Sequence, residues 1–214
     1  MTPYLVHTPA WLKWLYPSFC WQMPAAEKKI YLSFDDGPHP DVTPFVLDQL
    51  ARYQAKASFF CIGKNVEMEP LIYERIKKEG HSIGNHTYSH KNGWKSDNKT
   101  YLADVQQAHR IIDSNLFRPP YGRITRFQAA CVREILGART QIIMWTLLSA
   151  DFDQQLSGEQ CLEHVVRYAR PGSIIVMHDS QKAWLRLQYA LPRMLQYFDQ
   201  KGWEMAAIAA NVEK

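Results

Sequence analysis

Short, mostly apolar runs alternate with amphipathic stretches along almost the whole chain after residue 29. The runs at 30–34, 57–62, 81–84, 141–146, 173–178 and 203–208 read as strands, most without the polar alternation of a sheet with one wet face. Between them, the stretches at 43–54, 70–79, 98–115, 124–136, 158–169 and 183–200 carry helical spacing. In the last, Leu185, Leu187, Leu191, Met194, Leu195 and Phe198 roughly follow it. Thr43 before Pro44 predicts an N-cap followed by proline at the first helical position. Gly80, Gly137, Gly172 and Gly202 fall where a helix must end and a strand begin. Repeated β-α units with buried strands predict an α/β fold on a parallel sheet, either open or closed into a barrel.

Length and charge narrow the picture further. The 214 residues suffice for one sizeable core. A net charge of +4 is mild, and no basic cluster exceeds Lys28-Lys29 or Lys77-Lys78, so a nucleic-acid partner is not expected. Neither a Gly-x-Gly-x-x-Gly loop nor a Walker loop is present, which argues against nucleotide binding. The cysteines Cys20, Cys61, Cys131 and Cys161 are far apart and form no zinc-ribbon pattern; reduced thiols of a cytoplasmic protein are expected. Residues 1–21 are aromatic but interrupted by Pro3, His7, Pro9, Lys13 and Pro17, so neither a secretory leader nor a membrane span is read there. The segment Trp11 to Tyr16 is expected to cover the bottom of the fold, with peripheral contact to a membrane surface left open. Oligomeric state is not legible.

Five polar clusters end strand candidates or strand-like segments, where α/β folds keep their chemistry. In Ser33-Phe34-Asp35-Asp36-Gly37-Pro38 two adjacent carboxylates repel, and a divalent cation would offset the repulsion. In His86-Thr87-Tyr88-Ser89-His90 two imidazoles four residues apart can face one ion from a helical turn or tight loop. With one carboxylate they make a three-ligand site for zinc that leaves a position for water. Position 87 is Thr, so a base must come from elsewhere, and Asp35 is the obvious supplier. In Phe117-Arg118-Pro119-Pro120-Tyr121-Gly122 the double proline fixes a rigid turn, suited to presenting the Tyr121 backbone N–H as an oxyanion donor. Arg118 can pair with a buried carboxylate in fork geometry. His178, after 174–177, can donate a proton to a leaving amine, and Asp151 can orient it. Asp179 reads as a helix-start or hydrogen-bonding residue. Trp94, in the loop after His90, offers an aromatic face.

In order along residues 28–205, these clusters resemble the five motifs of the polysaccharide deacetylases of the NodB-homology type, carbohydrate esterase family four. The resemblance implies a distorted, incomplete (β/α) barrel, with residues 28–214 as catalytic domain and 1–27 as an aromatic segment covering it. It implies Asp35 as general base and Asp36, His86 and His90 as ligands of zinc, or alternatively cobalt, nickel or another divalent transition metal. It further implies that Arg118 steadies the base, that the Tyr121 amide helps bind the oxyanion, and that Asp151 and His178 form the acid pair. Two departures are visible: Leu148 stands where many relatives carry an additional acid, and Phe152 where Trp is usual. The implied activity is metal-dependent hydrolysis of an N-acetyl group on a peptidoglycan- or chitin-like sugar. Alternatives are O-acetyl xylan esterase activity, deacylation of a small or lipid-linked sugar, and a non-catalytic carbohydrate-binding role.

Overall fold

The computed structural model describes residues 5–24 and 28–209. Its strands are β1 (Lys29–Asp35), β2 (Ala57–Cys61), β3 (Ser82–Asn85), β4 (Leu116–Phe117), β5 (Gln141–Ile142), β6 (Leu147–Leu148), β7 (Ile174–His178) and β8 (Glu204–Ala206). The helices are α1 (Ala10–Leu15), α2 (Val42–Arg52), α3 (Gly63–Met68), α4 (Pro70–Lys78), α5 (Asn98–His109), α6 (Arg126–Leu136), α7 (Gly158–Tyr168) and α8 (Trp184–Gln200). Every strand pair is parallel, in the order β5-β4-β3-β2-β1-β7-β6, with β8 paired to the first residues of β1. The two outermost strands, β5 and β6, are separated by only four residues of chain. A sheet whose edges are that close in sequence must curl back on itself, and the result is the incomplete (β/α) barrel.

The central strands β1, β2 and β7 are buried along nearly their whole length, as their unbroken apolar runs require. Phe34 stacks on Phe59 between β1 and β2 at 5.2 Å, and α2 and α8 cover that layer with Val46, Leu50, Leu187, Leu191 and Phe198. Gly80, Gly137, Gly172 and Gly202 all adopt positive φ, the conformation that lets a chain leave one element and enter the next without a Cβ clash.

Three expectations are revised. Of the run 141–146 only Gln141–Ile142 is strand, because the carbonyls of Ile143 and Met144 accept bonds from the Arg118 guanidinium, and the chain then switches neighbour from β4 to β7 at β6, just beyond the run. The helix predicted over 98–115 ends at His109, and Leu116–Phe117 form β4. Thr43 is not the N-cap of α2; the helix starts at Val42, and the Thr43 hydroxyl accepts the His39 N–H and donates to Asp179.

Residues 5–24 run across the open side of the barrel. Leu148 N–H donates to Val6 C=O and Thr8 N–H to Thr146 C=O at β6, while Cys20 exchanges bonds with Ile142 and Met144 at β5. The proposed division at residue 27 falls on residues 25–27, which lie outside the described residues, as do residues 1–4 of that segment. Among the described residues no helix is long and apolar enough to cross a membrane.

Candidate metal centre and active site

Successive strand residues normally point to opposite faces, so neighbouring aspartates would part company. At Asp36 the backbone turns to φ 81°, and this redirects its side chain back toward the mouth of the barrel. Both carboxylates then approach His86: Asp35 Oδ2 lies 4.0 Å from its Nε2 and Asp36 Oδ1 3.7 Å. Asp36 Oδ1 is also 3.2 Å from His90 Nε2. Thr87 and His90 have positive φ too, so the His86–His90 stretch is a tight loop rather than a helical turn. Of seven non-glycine residues with positive φ among the described residues, five (Asp36, Thr87, His90, Tyr121 and Ala150) border this site, where strained backbone serves to aim side chains.

The donor set fits a divalent metal. One oxygen of Asp36 and one ring nitrogen each of His86 and His90 lie within 4.8 Å of one another. Asp36 Oδ1 is buried and has no hydrogen-bond partner. His86 Nδ1 is 2.7 Å from the Arg118 carbonyl, which assigns the proton to Nδ1 and leaves Nε2 a lone pair facing Asp36. Burial pushes the His86 pKa down to about 4, so the ring is neutral. A buried lone pair aimed at a buried, unbonded carboxylate oxygen is an arrangement that a cation satisfies and that no other group among the described residues does.

Arg118 lies completely buried beneath Asp35. The expected fork is not formed: one nitrogen meets Asp35 Oδ1 at 2.6 Å and also Ser33 Oγ at 2.8 Å. The others bond the carbonyls of Ile143 (3.2 Å) and Met144 (3.1 Å), and the guanidinium lies 3.9 Å over the Phe60 ring. Tyr121, at φ 59°, is the middle residue of the turn Pro120–Gly122, and its ring packs edge-on to His90 at 4.6 Å. Among the described residues no acceptor takes its backbone N–H.

On the other side, β7 is in register with β1 so that His178 sits opposite Asp35. Asp151 binds both the His178 backbone N–H and its Nδ1, each at 2.8 Å. Burial opposes the imidazolium, but the Asp151 charge and hydrogen bond outweigh it and raise His178 to about 9. Phe152 packs edge-on against the His178 ring at 5.2 Å. The eight residues expected as catalytic or metal-binding thus gather at one end of the barrel, with Arg118 and Asp151 fully buried behind the others.

Several supporting residues escaped the sequence reading. Asp104, on α5, accepts the backbone N–H groups of Tyr88 and Ser89 and the Ser89 hydroxyl, and so shapes the loop between the histidines. Asn85 accepts the Thr87 N–H. Arg186, buried on α8, donates to the Asp151 carbonyl at 2.6 Å. Asp179 accepts the Gly37 N–H at 3.0 Å and the Thr43 hydroxyl at 2.5 Å. It is a hydrogen-bonding residue and not a helix start, since α8 begins five residues later. Burial pushes its carboxyl up to about 8, with the nearby Asp36 charge adding to the shift. A Cβ at Gly37 would lie 2.0 Å from the Asp179 carboxylate, so only glycine fits there. Asp104, Asn85 and Arg186 sit in no recognisable spacing and their signal is three-dimensional, whereas Asp179 adjoins His178 and was expected as a helix-start or hydrogen-bonding residue.

Comparison with known proteins agrees with this geometry. Residues 22–135 match the polysaccharide deacetylase family. The chain is 33% identical over 195 residues to a peptidoglycan-N-acetylglucosamine deacetylase of Bacillus cereus, covering 88% of this chain and 90% of that protein. It is 33% identical over 160 residues to a chitooligosaccharide deacetylase of Azorhizobium caulinodans, covering 72% and 74%. A crystal structure of a peptidoglycan N-acetylglucosamine deacetylase in complex with 4-naphthalen-1-yl-N-oxidanyl-benzamide superposes with a TM-score of 0.77 at 30% identity, covering 90% of this chain and 92% of that one. Fold, ordered motifs and relatives converge, and the chain belongs to the polysaccharide deacetylase family, with the NodB-homology fold of carbohydrate esterase family four.

Proposed function

We propose that this protein hydrolyses the acetamide of an N-acetylated sugar, such as N-acetylglucosamine in a peptidoglycan- or chitin-like chain, and releases acetate. The observation that carries the reading is the buried, unbonded Asp36 oxygen facing the Nε2 atoms of His86 and His90, with Asp35 alongside. Asp36, His86 and His90 would hold the metal, with zinc preferred over cobalt or nickel for this one-oxygen, two-imidazole set. When bound, the ion supplies Lewis-acid polarisation of the acetyl carbonyl and acidifies water.

The chain's own residues do the rest. Asp35, fixed by Arg118, accepts a proton from the attacking water as the new C–O bond forms. The Tyr121 N–H donates to the oxygen that gains charge. His178, held by Asp151 and charged at neutral pH, gives its proton to the nitrogen as the C–N bond breaks. The amine and acetate then leave. Trp94, half exposed in the loop after His90 and covered on one face by Arg123 at 4.4 Å, offers a stacking face for a neighbouring sugar.

Acetate release from N-acetylglucosamine oligomers, with and without chelator, tests the reading. Asp35→Asn is expected to slow release by about 10²–10⁴-fold. Normal turnover in that variant would remove Asp35 as the base. Release only from acetylated xylan would reassign the substrate, and hydrolysis of neither after zinc or cobalt is added would leave a carbohydrate-binding role.

A further inference from the structure

Away from the metal centre, α1 presents its aromatic side chains to solvent. Trp11 and Trp14, three residues apart and so on one helix face, are 62% and 81% exposed, and the adjacent Leu15 is 39% exposed. They cannot turn inward, because Leu12 and Tyr16 already occupy the inner side, packed with Phe19 and Trp21. The helix is also tied down by polar contacts. Trp21 Nε1 and Arg126 donate to the carbonyls of Tyr16 and Leu15, Arg133 donates to that of Ser18, and Lys13 reaches Gln22. Phe127, next to Arg126 on the first turn of α6, is 58% exposed. That turn begins four residues after Gly122, so the patch adjoins the end of α6 that carries the Tyr121 turn.

The two segments that build this patch carry charges of one sign. Residues 5–24 and 114–133 contain no Asp or Glu, and Lys13, Arg123, Arg126 and Arg133 are distributed through them. The first acid on α6 after Arg126 is Glu134, two turns further on. A rigid cluster of tryptophan, leucine and phenylalanine with a cationic rim complements an apolar layer under negative headgroups. We propose that α1 and the first turn of α6 form a docking surface for an anionic lipid bilayer. This inference stands on the surface alone and is independent of the hydrolase reading.

The test is co-sedimentation of the full chain with vesicles of phosphatidylglycerol and phosphatidylcholine, against vesicles of phosphatidylcholine alone. The wild-type chain is expected to pellet with the anionic vesicles and to be released by salt. Trp11→Ser combined with Trp14→Ser is expected to weaken that partition by at least about tenfold, with circular dichroism and melting temperature unchanged. Lys13→Glu keeps the aromatic face and is expected to weaken binding to anionic vesicles alone. Equal sedimentation of the double variant and wild type would overturn the proposal. So would loss of a lipid-free dimer in the double variant, which would assign the face to a second copy, or tryptophan-dependent pelleting with insoluble chitin but not with vesicles.

Discussion

Arg118 has a charge in a place without water, and its partners explain why it stays there. One carboxylate, one hydroxyl, two carbonyls and an aromatic face surround it. Arg118→Met would leave Asp35 buried without its counter-charge, a change that costs roughly 3–5 kcal/mol. Urea unfolding is expected to show that loss, together with a fall in turnover. His178 makes a pH prediction in metal-free, chelator-treated protein. Its folded pKa of about 9 exceeds the unfolded value of about 6.5. The proton is therefore bound more tightly in the folded state: its stabilisation is fully present below about pH 6.5 and lost as pH rises through about 9. Melting temperatures across that window are expected to fall in the wild type and to flatten in His178→Gln. At this scale the sequence was most readable, since Asp35, Asp36, His86, His90, Arg118 and His178 carry chemistry that few structural roles need in that order. The single-contact pairing of Arg118 with Asp35 was not readable, because it depends on carbonyls of the link between β5 and β6, about 25 residues further along.

Loops after strands aim the ligands, and other elements hold those loops in shape. Asp104 takes three bonds from the turn between His86 and His90 without touching either ring. Asp104→Ala is expected to weaken zinc binding by about 10–100-fold in a calorimetric titration while leaving the ligand set intact. A spared affinity would mean that the loop keeps its form unaided. Elements with several turns or a full apolar run were legible: α8, β1, β2 and β7 lie within a residue or so of their expected bounds. The short ones were not. β4 has two residues, too few for any periodicity, and it exists because β3 and β5 pair on either side of it. The tertiary neighbour, and not local preference, decides such a segment.

For the molecule as a whole, a cation that binds the folded chain and not the unfolded one must raise its melting point by mass action. At a hundredfold excess over its dissociation constant the gain is about 2.7 kcal/mol. Zinc is expected to raise the melting temperature of the wild type, chelator to reverse it, and His86→Ala to abolish the effect. Architecture at this scale was legible as repeated β-α units, but curling was not, because nothing in a run of residues says which strand becomes an edge. Residues 5–24 illustrate a temporal side of that closure. They are synthesised well before Ile142, Thr146 and Leu148, the partners whose backbone they bridge, and their own local bonds do not reach the sheet. This stretch must therefore wait for partners more than a hundred residues further along before it docks. Sealing the seam is a late event in assembly, and until then both raw margins of the sheet stand open to neighbouring chains.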